Sequence, residues 1–110
     1  MPAKDHLLKA IDKFNGRMER DPRLREEVGA LKKKVNIDLG TEHYSFLLKD
    51  SAISHFDEGL LESPDIQVFS DPRTIEDLLT GRMRPMKAWA LRKVTVKGSL
   101  DDIMKLRKFF

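Results

Sequence analysis

Three histidines and three nearby serines are the residues whose types could support catalysis or hold a metal ion. A histidine beside a serine can serve as the base of a nucleophilic hydrolase, and clustered histidines bind zinc. Here the histidines lie in separate segments without metal-ligand spacing, and neither a nucleophile elbow nor a glycine-rich phosphate loop accompanies the serines. The residues are His6, His43, His55, Ser45, Ser51 and Ser54. The chain has no cysteine, which excludes thiolate chemistry and disulfides. We therefore expect no enzyme activity, no metal and no cofactor.

A group of soft, bulky apolar residues in the second half of the chain could bind an apolar ligand. It consists of Met83, Met86, Trp89 and Met104. Methionine adapts its shape to irregular apolar partners, which suits a variable hydrocarbon chain. The alternative is that these side chains simply fill the core, where apolar residues normally lie.

The charge of +3 is distributed unevenly along the chain. Residues 1–40 carry 10 basic and 7 acidic groups, residues 41–80 carry 2 and 9, and residues 81–110 carry 9 and 2. The basic last third could contact nucleic acid or an anionic membrane, or it could lie beside the acidic middle and be neutralised there. Its aromatic residues, Trp89, Phe109 and Phe110, lack the interleaved pattern of single-strand binders, so we do not expect nucleic acid as the partner.

The composition is typical of a folded intracellular domain. Of the 110 residues, 40% are hydrophobic and 35% are charged, and no apolar run is long enough for a membrane-spanning helix. The first residues lack the apolar core of a secretory signal. We expect a single domain over residues 1–110 and a cytoplasmic location.

The first half of the chain reads as two helices followed by strands. Apolar residues recur at helical spacing over residues 4–20, and Asp21-Pro22 starts a second, short helix that continues through Leu24, Val28 and Leu31. Alternation from Lys34 to Leu39 and from Tyr44 to Leu48, around a turn at residues 40–42, predicts a β-hairpin. Strands at residues 52–57 and 66–69 would extend it into an antiparallel meander.

The second half predicts three helices and one more strand. Asp71-Pro72 is a cap and first-turn proline for a helix that Gly81 ends, and a short helix follows at residues 86–90 near Pro85. Residues 94–96 alternate as a fifth strand, and Ser99 caps a last helix. The sequence therefore predicts an α+β fold, with helices packed on one face of a five-stranded, mostly antiparallel sheet.

Residues 65–108 resemble the C-terminal half of a sterol carrier protein type 2 domain. The resemblance rests on the strand Ile66 to Phe69, Ser70-Asp71-Pro72, Leu79-Thr80-Gly81, the turn at Pro85, Ala88-Trp89 and Val94 to Gly98 before the last helix. The preceding order, helices and then three strands, is also similar. The family often has an aromatic-x-Ser-Gly-Lys run where this chain has Trp89 to Lys93.

The resemblance implies non-catalytic binding, and transfer, of a fatty acyl chain, sterol or isoprenoid in a hydrophobic tunnel between sheet and helices. The ligand-binding residues that it implies are Phe46, Leu48, Ile53, Phe69, Leu79, Met83, Met86, Trp89 and Met104. Five basic residues near the expected mouth could contact an anionic head group or membrane, namely Arg82, Arg84, Lys87, Arg92 and Lys93. Two alternatives stay open: a basic module for nucleic acid or anionic membrane, and a homodimerising accessory domain with a vestigial cavity that uses Phe109 and Phe110 as its contact.

Overall fold

A computed structural model of the protein describes residues 3–28 and 32–107, with the side chains of residues 3–26 and 32–103. Five helices and five strands follow one another in these ranges. They are α1 (Lys4–Arg20), α2 (Pro22–Val28), β1 (Lys33–Asp38), β2 (His43–Lys49), β3 (Ala52–Glu58), β4 (Ile66–Phe69), α3 (Pro72–Leu79), α4 (Pro85–Ala90), β5 (Thr95–Lys97) and α5 (Leu100–Arg107). The predicted α+β class and the five-stranded sheet are confirmed, while Leu31 lies outside the described residues.

The five strands form one sheet in the order β3-β2-β1-β4-β5. Three neighbouring pairs are antiparallel, and β1 pairs with β4 in parallel, with Val35 opposite Ile66 and Ile37 opposite Val68. The sheet is therefore mostly antiparallel, as expected. The predicted continuous meander is wrong at its fourth strand, because β4 does not follow β3 but lies on the far side of β1.

The connection between β3 and β4, residues 59–65, explains this departure. Since β3 and β4 both run parallel to β1, the chain must return along the sheet between them. Asn36 holds the returning segment: its amide nitrogen donates to the Leu61 carbonyl and its amide oxygen accepts from the Leu61 N–H, both at 2.9 Å. Because side chains alternate along a strand, Asn36 lies on the opposite face of the sheet from Val35 and Ile37. Residues 59–65, the crossing segment, therefore cover the face of the sheet opposite the helices.

Helix α1 lies over the β3 side of the sheet and is fixed there by a second asparagine. Asn15 donates from its amide nitrogen to the Ile53 carbonyl at 3.0 Å and accepts from the Ile53 N–H at 2.8 Å. β3 is an edge strand, so these bonds satisfy backbone groups that have no neighbouring strand. Leu7 and Met18 are the buried residues of α1, one near each end of the helix.

Two helices of the second half, α3 and α5, begin at the predicted caps. The Asp71 carboxylate accepts from the Thr74 N–H at 2.8 Å, and the Ser99 hydroxyl accepts from the Asp102 N–H at 3.1 Å. Asp102 also joins α5 to β1, because its carboxylate lies 3.0 Å from Lys33 Nζ, and this hydrogen bond is the main reason why the pKa of Lys33 is raised. Within the described part of the chain, no helix is long and apolar enough to cross a membrane.

Candidate functional site

The apolar layer between the sheet and the helices is the candidate ligand site. One buried cluster joins Ala3 and Leu7 at the start of α1 to β1, β2 and α3, through Ile37, Leu39, Tyr44 and Ile75. A second, smaller cluster joins Met18 to Leu48 at the other end of α1. The α1 helix therefore spans both clusters and closes one side of the layer.

Large apolar side chains at the border of these clusters remain only half-buried. Against the first cluster pack Phe46, Phe56, Val68, Leu78 and Leu79, and against the second pack Phe14, Leu24 and Ile53. Among the described side chains, Ile66 is the large apolar group that is completely buried. The layer is apolar, and the helices leave part of its border accessible.

A polar anchor at the start of α1 holds that helix on the layer. The backbone N–H of Ala3 donates to the Glu42 carboxylate at 2.9 Å, and the Tyr44 hydroxyl donates to the same carboxylate oxygen. Tyr44 is 4% exposed and stacks on Phe56, with ring centroids 5.5 Å apart. Burial, and then the hydrogen bond to Glu42, raises the pKa of Tyr44 to about 12. Sequence reasoning missed this anchor because Glu42 lies in a turn, where a carboxylate usually faces solvent.

Four of the nine predicted ligand-binding residues lie in the apolar layer. Phe46 and Leu79 pack against the first cluster, and Leu48 and Ile53 belong to or border the second. Met83, half-buried after α3, donates its backbone N–H to the Asp77 carbonyl at 3.0 Å. Met104 lies in α5, with its side chain outside the described residues.

Three predicted residues lie elsewhere, which corrects the expectation that they face the layer. Strand alternation separates Phe69 from Val68 and turns it to the opposite face of the sheet, where Lys97 Nζ lies 5.3 Å from its ring centroid. Met86 and Trp89 are exposed, because α4 turns Ala88 inward instead.

A cavity of about 540 Å³ lies beside α3, outside the apolar layer. It is lined by Asp71, Pro72, Arg73, Glu76, Asp77 and Arg82. Five of these six side chains are charged, with both signs present, so a hydrocarbon chain bound there would remove water from charged groups, which is unfavourable. Partial burial opposes ionisation of Asp71, but the hydrogen bonds from Thr74 outweigh it and hold the pKa of this carboxyl below its ordinary value.

The histidines occupy separate places in the structure. His6 Nε2 lies 3.6 Å from a Glu76 carboxylate oxygen, and His43 Nε2 lies 3.3 Å from Asp38. His55 Nδ1 lies 3.1 Å from the hydroxyl of Ser54, both exposed on the edge strand. Among the described residues, no three His, Cys, Asp or Glu side chains are grouped to hold a metal ion. Phe109 and Phe110, the predicted dimer contact, lie outside the described residues.

Comparison with known proteins points to one family. Residues 11–110 match the model of the SCP-2 sterol transfer family. A search of the curated proteins found no match.

Solved structures show the same fold at low sequence identity. Sterol Carrier Protein 2 Like 2 from Aedes aegypti is 16% identical, with a TM-score of 0.65, and the alignment covers 97% of this chain and 98% of that one. The palmitated SCP2L2 from Aedes aegypti is 20% identical, with a TM-score of 0.63 and coverage of 91% and 89%. The sec-alkylsulfatase Pisa1 from Pseudomonas sp. is 15% identical, with a TM-score of 0.63, and the match covers 90% of this chain but 15% of the enzyme. The fold thus occurs both alone and as a part of a larger enzyme.

Proposed function

Because this chain belongs to the SCP-2 sterol transfer family, we propose that it binds an apolar, lipid-like ligand in the layer between its sheet and its helices, without converting the ligand chemically. The family match over residues 11–110 is the observation that carries the proposal. A fatty acid is the first ligand to test, since a protein of the same fold has a solved structure in a palmitated form.

The packing of the layer supports this choice of site. Phe46 and Phe56 of the sheet and Leu79 of α3 all pack against the first cluster, yet each keeps part of its surface accessible. A hydrocarbon chain that covered these side chains would remove apolar surface from water on both partners. The charged cavity beside α3 offers no comparable gain.

The expected energetics favour reversible exchange over permanent capture. Each methylene moved from water into an apolar layer contributes roughly 0.8 kcal/mol, so a dozen methylenes contribute on the order of 10 kcal/mol before ordering costs. A bilayer offers the same methylenes a nearly equal environment. The balance between protein and membrane therefore depends on shape and on head-group contacts, which suits a carrier.

A pair of matched substitutions tests the site. We expect Leu79→Trp, which adds volume inside the layer, to weaken the uptake of a fluorescent fatty acid about four- to fifteenfold, since the larger side chain displaces one to two methylene groups of the ligand. Leu100→Trp makes the same change on the exposed surface of α5 and should leave uptake unchanged. Ile53→Phe is a milder filling of the second cluster, for use if Leu79→Trp fails to fold.

Titration and native mass spectrometry can each give a result that contradicts lipid binding in the layer. Titrations are performed in buffer without vesicles, and native mass spectrometry of the protein as purified reports any ligand that it carries. An apo mass together with no saturable uptake by the unmodified protein would refute lipid binding. Equal uptake by both tryptophan variants would move the site away from the layer.

A further inference from the structure

Helix α4 has large apolar side chains on its solvent-facing side, where a helix of a globular domain usually has polar ones. Ala88 is buried, whereas Met86 and Trp89 are 69% and 54% exposed. Successive helical residues are about 100° apart, so Met86 and Ala90 lie within about 20° of the direction opposite to Ala88, and Trp89 lies about 80° from it. Leu91, the next residue, is also 54% exposed. The helix therefore turns its small residue inward and its large apolar residues toward solvent, the reverse of the usual arrangement.

The same segment carries charge of one sign. Residues 81–100 contain six basic and no acidic residues. None of the four ion pairs found among the described residues involves any of the six. Three of the six interact with other groups. Arg82 lines the cavity beside α3, the positive charge of Lys93 helps to lower the pKa of Asp71, and Lys97 Nζ lies over the ring of Phe69. The other three, Arg84, Lys87 and Arg92, are exposed beside the apolar residues.

We propose that this docking surface, formed by Arg84, Met86, Lys87, Trp89, Leu91 and Arg92, binds the surface of a bilayer that contains anionic lipids. Apolar side chains ringed by basic ones match the interfacial region, where tryptophan is favoured and where anionic head groups attract lysine and arginine. A nucleic acid would use the charge but would leave Met86 and Leu91 in water. Bilayer docking goes beyond ligand binding and does not require the apolar layer to admit a ligand.

Vesicle binding followed by the fluorescence of Trp89, the chain's single tryptophan, tests the proposal. We expect sedimentation with vesicles of phosphatidylcholine and phosphatidylglycerol in equal parts, a blue shift of the Trp89 emission, and loss of both on raising salt or with phosphatidylcholine alone. Arg84→Gln combined with Lys87→Gln should weaken binding roughly 30-fold, from the usual contribution of a basic residue near an anionic surface. Leu91→Ser should weaken it roughly fivefold.

Matched controls separate this surface from the rest of the protein. Lys9→Gln with Lys13→Gln removes the same net charge from exposed positions of α1, and Leu60→Ser removes a similarly exposed leucine from the crossing segment. Both controls should bind vesicles within about twofold of the unmodified protein.

Several outcomes would overturn the proposal. These are no binding to the anionic vesicles, binding without a change in Trp89 emission, or an equal loss in the α1 control. Salt-sensitive DNA binding without vesicle binding would favour a nucleic-acid partner instead. Fatty acid uptake by the Leu91→Ser variant in buffer should stay unchanged, so failure of docking and failure of ligand binding are distinguishable.

Discussion

The anchor between Glu42, Tyr44 and the start of α1 supplies the most quantitative prediction. Glu42→Ala removes the acceptor of two hydrogen bonds, one from the Tyr44 hydroxyl and one from the Ala3 N–H. Hydrogen bonds to a charged group contribute about 1.5–3 kcal/mol, and a buried hydroxyl left without a partner costs about 1–3 kcal/mol. Because Tyr44 is 4% exposed, water cannot replace the lost acceptor easily. We expect the free energy of unfolding to fall by about 2–4 kcal/mol.

A double-mutant cycle isolates the contribution of the hydrogen bond between Glu42 and the Tyr44 hydroxyl. Tyr44→Phe removes the hydroxyl and keeps the ring that stacks on Phe56. In the Tyr44→Phe background Glu42→Ala should cost less than in the unmodified protein, by about 1–2 kcal/mol, since no orphaned hydroxyl remains. Urea unfolding of the four proteins measures this coupling energy. Additive losses would refute the hydrogen bond as a source of stability.

The ionisation of Tyr44 gives an independent readout, because it is the only tyrosine of the chain. Tyrosinate absorbance in the folded protein should rise around pH 12. The stability linked to this raised pKa is complete below pH 10, the ordinary value, and is lost as the pH increases toward 12, a loss of about 3 kcal/mol. Burial is the larger cause, so Glu42→Gln should lower the pKa only partly. A midpoint near 10 while circular dichroism still reports the fold would contradict the burial of this hydroxyl.

Four further substitutions test the framework of the sheet and helices by urea unfolding. Gly98→Ala should destabilise, because its Cβ would lie 3.0 Å from the Asp65 carbonyl oxygen, whereas Gly16→Ala in α1 meets only ordinary contacts and should stabilise by about 0.5–1 kcal/mol. Asp71→Ala should cost about 1 kcal/mol near neutral pH, and because the pKa of Asp71 is lowered from 3.8, this difference should vanish as the pH falls through and below that range. Asn36→Ala should cost about 1–3 kcal/mol by releasing the crossing segment, and a cost no larger than for an exposed asparagine would contradict its role.

Local signals in the sequence predicted most of the elements. Asp71-Pro72 and Ser99 mark the starts of α3 and α5 because a side-chain oxygen must accept from the first free N–H groups of a helix, and the structure contains both bonds. The alternation of Val35 and Ile37 predicted a strand with one face toward the helices, and both residues are buried there. These signals depend on residues that are close together in the sequence, so they can be recognised before the fold is known.

Features that depend on distant residues were not readable. Asn36 looked like the solvent side of an alternating strand, but it is 5% exposed beneath the crossing segment. The parallel placement of β4 depends on that same segment, whose path turn length alone does not determine. The family resemblance implied that Trp89 lies in the ligand layer, but α4 buries Ala88 and leaves Trp89 exposed. Sequence pattern indicates which faces are apolar, but not what covers them.

The most direct test of lipid binding is a set of intermolecular nuclear Overhauser effects between bound palmitate and the protein's methyl groups. We predict contacts from the methylene chain to methyl groups of Leu48, Ile53 and Leu79, which lie in or border the apolar layer. Contacts restricted to the exposed methyl groups of Leu60, Leu91 or Leu100 would show that the fatty acid adheres to the surface, and would contradict a site between sheet and helices.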